Sequence, residues 1–174
     1  MGVRLRLPKV EDAKSALEAH REFLDCPYID FLIDYRDKEA FADWVTRMNE
    51  ISLGIYLPEG WVRGEFLFVE ADGHLVGRVS IRYELNEYLR EFEGHVGYAV
   101  LPQYRRRGYA SCALRESLER LYVEGVESVL ITCDDDNEAS IRVIEREGGT
   151  YERMAKTSTV RKRRYWLGKK PEGQ

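Results

Sequence analysis

From Val3 to Leu7 apolar and charged residues alternate with a period of two, the signature of a half-buried strand, and the run stops at Pro8, which has no N–H for a ladder. From Glu11 the pattern changes. Ala16, Leu17, His20, Phe23 and Leu24 recur every three or four positions, so a helix with one buried face is expected, closed by Pro27. A second helix is expected from about Lys38 to Ile51 through Phe41, Trp44, Val45 and Met48. Glu65 to Glu70 and Leu75 to Tyr83 read as two strands joined at Asp72-Gly73, a pair that accepts the positive φ of a tight hairpin. His95 to Leu101 is a short apolar strand ended by Pro102, and from Gly108 the positions Ala110, Ala113, Leu114, Ser117, Leu118 and Leu121 fall on one helical face. Ser128 to Cys133 is a β-rich run. With the helix before it, it makes a candidate crossover between two parallel strands. Asp134 to Asn137 offers N-caps for a helix through Ala139, Ile141, Val143 and Ile144, stopped at Gly148-Gly149. Thr150 to Val160 and Arg164 to Gly168 read as closing strands.

The expected fold is therefore α/β of the α+β kind: strand, two helices, three strands, helix, strand, helix, two strands. It implies a mixed central sheet of about seven strands with helices on both faces, within one domain spanning residues 1–174. Three cysteines, Cys26, Cys112 and Cys133, fit no zinc or redox spacing and cannot all pair, so no metal site is expected and a reducing compartment suits the chain. The first residues show no apolar leader, position 6 is Arg rather than a myristoylation Ser or Thr, and no stretch is apolar enough to cross a membrane. The expectation is a cytoplasmic protein without a membrane partner.

Net charge is −4, against a dedicated nucleic-acid binder, but the sign is uneven: residues 153–170 hold eight basic and no acidic residues. The basic strip Arg161 to Arg164 could attract an acidic partner or RNA, or it could be an exposed strand face. Nucleic acid is the less favoured reading.

The second basic cluster is chemically sharper. Pro102-Gln103-Tyr104-Arg105-Arg106-Arg107-Gly108-Tyr109-Ala110 lies between an apolar strand and a helix start. A helix start leaves N–H groups without partners and carries partial positive charge. Gly108 and Ala110 have almost no side chain to hold a phosphate off, and arginines add bidentate hydrogen bonds, so a pyrophosphate site is expected here. The Gly-Lys-Ser/Thr of a Walker loop and the second and third glycines of a dinucleotide fingerprint are absent, which disfavours nucleoside triphosphatases and dinucleotide oxidoreductases.

These residues resemble the signature of the GCN5-related N-acetyltransferases (GNAT), R/Q-x-x-G-x-G/A, at Arg105, Gly108 and Ala110 after Val100-Leu101-Pro102. Asn137-x-x-Ser140, followed by Glu145 and Gly148, is similar to the family's later motif, and the element order is the family's order. The resemblance implies a transferase of the acyltransferase class, moving an acetyl group from acetyl-CoA to a primary amine by direct attack in a ternary complex. It implies the CoA pyrophosphate on the N–H groups of about Arg106, Arg107, Gly108, Tyr109 and Ala110, with Tyr98 N–H facing the thioester oxygen. Val100 would bond the pantetheine amide, and Asn137 with Ser140 would lie along the pantetheine or cap the helix. Many members carry a tyrosine general acid where this chain has Ile144, so the group protonating the thiolate stays unassigned.

For the base, Glu93 or His95 precede the active strand, with Glu70 and Glu84 as further options. Tyr28, Asp30, Asp34 and Tyr35 form an acidic and aromatic connector suited to a cationic acceptor, small molecule or protein, or simply a cap on the core. The runner-up function is a non-catalytic acyl-CoA sensor, motivated by Ile144. The oligomeric state stays open, with a homodimer among the options.

Overall fold

The computed structural model describes residues 2–25, 29–36 and 38–168. Its elements follow the expected order: β1 (Val3–Arg6), α1 (Ala13–Arg21), α2 (Phe41–Ser52), β2 (Gly64–Ala71), β3 (His74–Arg82), β4 (Val96–Val100), α3 (Tyr109–Val123), β5 (Ser128–Asp134), α4 (Glu138–Arg146), β6 (Thr150–Lys156) and β7 (Arg161–Gly168). The hairpin between β2 and β3 turns where expected, with Asp72 at φ 50° and Gly73 at φ 80°.

The seven strands do not form one continuous sheet. They form two antiparallel sheets, ordered β1-β2-β3-β4 and β5-β7-β6. The expected parallel pairing of β4 with β5 is absent as a ladder among the described residues. The strands meet only at their foot, where His95 N–H donates to Leu130 O at 2.7 Å, Leu130 N–H donates to His95 Nδ1 at 2.9 Å, and Gly94 bridges Ile131. The physical reason is local: an imidazole takes the place of a backbone carbonyl as Leu130's acceptor, so the regular ladder cannot propagate and the strands part above it.

Helices cover both faces. Under α3 and α4 lie Leu67, Val79, Ile81, Val96, Leu114, Leu121 and Ile131, while under α1 and α2 lie Ala16, Trp44, Met48, Phe66, Phe68, Ala99 and Leu101. β4 divides its side chains between the two cores in strict alternation, as an extended chain must. Its edge toward β5 is thereby held in place by packing on both sides.

The closing strand begins three residues earlier than expected and absorbs the basic strip. Arg161 and Arg163 share Asp135 at 2.8 and 2.9 Å, Lys162 meets Asp134 at 2.8 Å, and Arg164, 2% exposed, meets Glu152 at 2.7 Å. The strip is neutralised inside the fold, because the β5 and β6 neighbours of β7 bring carboxylates to it.

Candidate functional site

The turn between β4 and α3 is built to expose its amides. Pro102 to Tyr104 makes one tight helical turn, Arg105 is extended, Arg106 takes φ 59° and Gly108 takes φ 83°, after which α3 begins. Gly108 is required on conformational grounds, and a Cβ there would meet nothing within 4 Å, so the space over this turn is open. The N–H groups of Arg106 to Ala110 donate to no acceptor among the described residues, and the first helical bond is Cys112 N–H to Gly108 O at 3.1 Å. Arg105 Nε turns back onto Val100 O at 3.2 Å, and the Arg107 guanidinium lies 5.7 Å from the Tyr104 ring centre. Neither they nor Arg106 meet a carboxylate within ion-pair distance among the described residues, whereas every cation of the Arg161–Arg164 strip does. Unpartnered amides beside guanidinium groups that have no carboxylate partner are chemically suited to a polyanion.

β4 points at this turn. It pairs with β3 in the register Ser80↔Gly97 and Arg78↔Ala99, and Leu101 N–H reaches Val76 O at 3.0 Å. In an antiparallel ladder alternate residues turn their polar groups to the partner strand, so those of Tyr98 and Val100 face the gap toward β5. Asn137 Oδ1 accepts from Ser140 N–H at 3.1 Å and so caps α4. The Tyr98 hydroxyl is buried near Ser140 and Cys133 without a partner in hydrogen-bond geometry, and burial pushes it up to about 12, so it stays a donor. Ile144 is fully buried among apolar neighbours.

The two base candidates have different surroundings. His95 is 7% exposed, its Nδ1 lone pair is held by Leu130 N–H, and burial pushes its pKa down to about 4. A neutral ring with that lone pair committed carries its proton on Nε2 and has no site left to accept another. Glu93 ends a π-helical turn (Leu89–Glu93) and lines a cavity of about 290 Å³, with one carboxylate oxygen 3.7 Å from Arg82 Nη2. Glu70 is taken up by Arg4 and Arg6 at 2.6 and 2.5 Å, and Glu84 is exposed.

The acidic connector does not line that cavity as a set. Asp34 pairs with Arg47 at 3.2 Å, Tyr35 donates to Glu39 O at 2.8 Å, and Asp30 accepts from Asp34 N–H at 3.1 Å. Tyr28, like Cys26, lies outside the described residues. The walls include Ile33, Met48, Ile51, Trp61 and Phe66, with Ser80 and Arg82 from β3 and with Glu65, whose carboxylate accepts from the Tyr83 hydroxyl at 2.8 Å and from Arg120 at 3.1 Å. Trp61, Arg78, Ser80 and Arg82 belong to no sequence motif; the signal that the chain does carry for them is the polar alternation Arg78, Ser80, Arg82 through an apolar strand.

The His95 arrangement makes a stability prediction. Its folded pKa of about 4 lies below the ordinary 6.5, so the unfolded chain binds the extra proton first as pH falls. The contribution is whole above pH 6.5 and is lost toward pH 4, by about 3 kcal/mol in all. Urea denaturation at a series of pH values should show this loss in the wild type and not in His95→Asn; equal pH slopes in the two proteins would refute it.

A family model described as an acetyltransferase (GNAT) domain matches residues 3–150. The chain belongs to the GNAT acetyltransferases. The enzymatic class expected from the sequence, an acyltransferase, stands with that membership. No curated protein matches this GNAT chain. Among solved structures it is similar to a probable acetyltransferase (TM-score 0.72, 19% identity, 95% of this chain and 92% of that one). It is similar also to the microcin C7 self-immunity acetyltransferase MccE in complex with acetyl-CoA and AMP (TM-score 0.67, 15% identity, 95% and 92% covered). A third is Mycobacterium smegmatis RimJ in complex with a CoA disulfide (TM-score 0.71, 15% identity, 95% and 81% covered). Among the described residues of this GNAT protein no group of three or more His, Cys, Asp or Glu could hold a metal ion, and no helix is long and apolar enough to cross a membrane.

Proposed function

We propose that this GNAT protein acetylates a primary amine by direct attack within a ternary complex with acetyl-CoA. The observation that carries the reading is the row of unpartnered amides from Arg106 to Ala110, standing at the end of a strand whose edge is open. Those amides, with Arg105, Arg106 and Arg107, hold the pyrophosphate. The Val100 backbone holds the pantetheine amide, and Asn137 and Ser140 bound the same channel from the start of α4. Acetyl-CoA supplies an activated acyl carbon, and the Tyr98 N–H is a fixed donor for the negative charge that develops on its oxygen, worth about 3 kcal/mol in a dry site.

Glu93, rather than His95, takes the proton that an ammonium acceptor must lose before its nitrogen can attack. His95 clasps β4 to β5 and so fixes the width of the gap. The C–N bond forms as the C–S bond breaks, and the second amine proton is balanced by the one that ends on the CoA sulfur. Ile144 has no proton to give, so that last transfer belongs to another group.

Ile144 also favours a second reading, a sensor that binds acyl-CoA without turnover. One experiment separates the two: calorimetry with acetyl-CoA, followed by CoASH release over a panel of amines. Binding with amine-dependent release is the expected result. Binding without release from any amine would establish the sensor, and absence of binding by folded protein would overturn both.

A further inference from the structure

Within the acetyltransferase reading, one feature of the β3 face remains without a partner. Arg78, Ser80 and Arg82 alternate along β3 and so share one face, the one turned to α2 and the cavity. Ser80 and Arg82 line the cavity, and Arg78 stands behind Ser80.

Arg78 is 8% exposed. Its Nη2 donates to Asp30 O at 2.9 Å and its Nη1 to Ser80 Oγ at 3.5 Å, while its Nε is buried with no acceptor. Among the described residues no carboxylate lies within ion-pair distance of it. Arg82 donates to Gly94 O at 3.2 Å, and among the described residues the one carboxylate within ion-pair distance of it is Glu93, at the long distance of 3.7 Å. Burial pushes Arg78 down to about 10 and lowers Arg82 too, the charge of Arg82 adding to the effect on Arg78. The carboxylates that act on these two guanidinium groups are Asp30, beyond ion-pair distance of Arg78, and the loosely held Glu93; the cavity's other carboxylate, Glu65, is taken up by the Tyr83 hydroxyl at 2.8 Å and Arg120 at 3.1 Å, so the two cations outweigh the anions free to meet them. Buried charge of one sign is stable only when something of the other sign completes it.

We infer that the acceptor is an amine that itself carries an anionic group, a carboxylate or a phosphate, on an apolar body, and that Arg82 receives that anion with Ser80 and Arg78 behind it. The inference rests on the acetyltransferase reading. The spacing supports one ligand bearing both groups: Glu93, the proton acceptor, is 3.7 Å from Arg82, so an ammonium at Glu93 has its anion a few bonds away at the guanidinium. The row also lies directly beneath the strand that faces the donor, since Ser80 Oγ is 3.4 Å from Gly97 O, and a Cβ on Gly97 would lie 3.6 Å from Arg78 Nη1. Ile33, Met48, Ile51, Trp61 and Phe66 accommodate the carbon skeleton.

The test uses the full chain with saturating CoA and matched ligands: phenethylamine against phenylalanine, and ethanolamine against O-phosphoethanolamine. Binding is read by Trp61 fluorescence, with Trp61→Phe to identify the signal, and acetyl-CoA affinity is measured separately by calorimetry. The anionic member of at least one pair should bind about tenfold tighter or better, and Arg82→Gln should abolish that preference while acetyl-CoA affinity is kept. The two pairs tell carboxylate from phosphate. Equal binding within both pairs, a preference that survives Arg82→Gln, or no ligand response while acetyl-CoA still binds would each overturn the inference and leave the acetyltransferase reading intact. Loss of acetyl-CoA binding in the wild type would instead strike that reading.

Discussion

Gly108→Val should lower the affinity for acetyl-CoA about a hundredfold while leaving the protein folded. The two effects separate because they have different causes. At φ 83° a β-branched residue is strained, at a cost of about 1–3 kcal/mol, but its Cβ would meet no described atom beyond the neighbouring residues within 4 Å. The melting temperature should fall by several degrees, about 2–4 °C for each kcal/mol in a chain of this size. The side chain would instead enter the open space at the turn that carries the amides of Arg106 to Ala110, the space a bound phosphate is expected to need. Charge-assisted bonds of about 1.5–3 kcal/mol each are then lost, and two of them account for the hundredfold. Arg163→Ala serves as the control: it removes a cation already spent on Asp135 and should leave affinity unchanged. Calorimetry on the two variants reads both outcomes. Undiminished affinity in Gly108→Val would remove the phosphate from this turn.

The second large effect belongs to Glu93. Glu93→Gln should reduce amine-dependent CoASH release by about 10²–10³-fold at neutral pH, with acetyl-CoA affinity unaltered, since the residue is on the cavity side and away from the α3 turn. The residual rate of the variant should climb about tenfold per pH unit toward the pKa of the acceptor amine, near 10, because solvent then supplies the neutral amine that the carboxylate no longer makes. A structural carboxylate would not give that recovery. If the variant keeps the wild-type rate and pH profile, the proton acceptor lies elsewhere. His95→Asn offers the contrast: the amide oxygen can still accept from Leu130 N–H, so the loss should appear as reduced stability and not as a changed pH dependence of turnover.

Much of the architecture was legible along the chain. The alternation at Val3 to Leu7, the helical repeat from Ala110 to Leu121 and the Asp72-Gly73 turn each gave an element where one is found, because these patterns report the geometry of a single segment. The turn before α3 was legible for the same reason. Its left-handed glycine and its unpaired helix amides are local properties of Pro102 to Ala110.

What lay beyond one segment was not legible. Two clusters of basic residues looked comparable as text, yet Arg161 to Arg164 are matched by Asp134, Asp135 and Glu152, while Arg105 to Arg107 have no carboxylate within ion-pair distance among the described residues. Glu93 and His95 stand two positions apart and looked interchangeable as bases, yet Leu130 occupies the nitrogen of one and the other faces a cavity. The single mixed sheet was expected because strand propensity says nothing about which edges will pair, and the imidazole at the foot of β4 divides it in two.

The sequence by itself therefore determined the elements, their order and the turn of unpaired amides before α3, all governed by backbone conformation within a few residues. Only the tertiary structure decided which charges lack partners among the described residues, which of Glu93 and His95 faces a cavity and what lines that cavity. Those depend on partners brought from distant segments by strand register and packing, and neither composition nor periodicity encodes them.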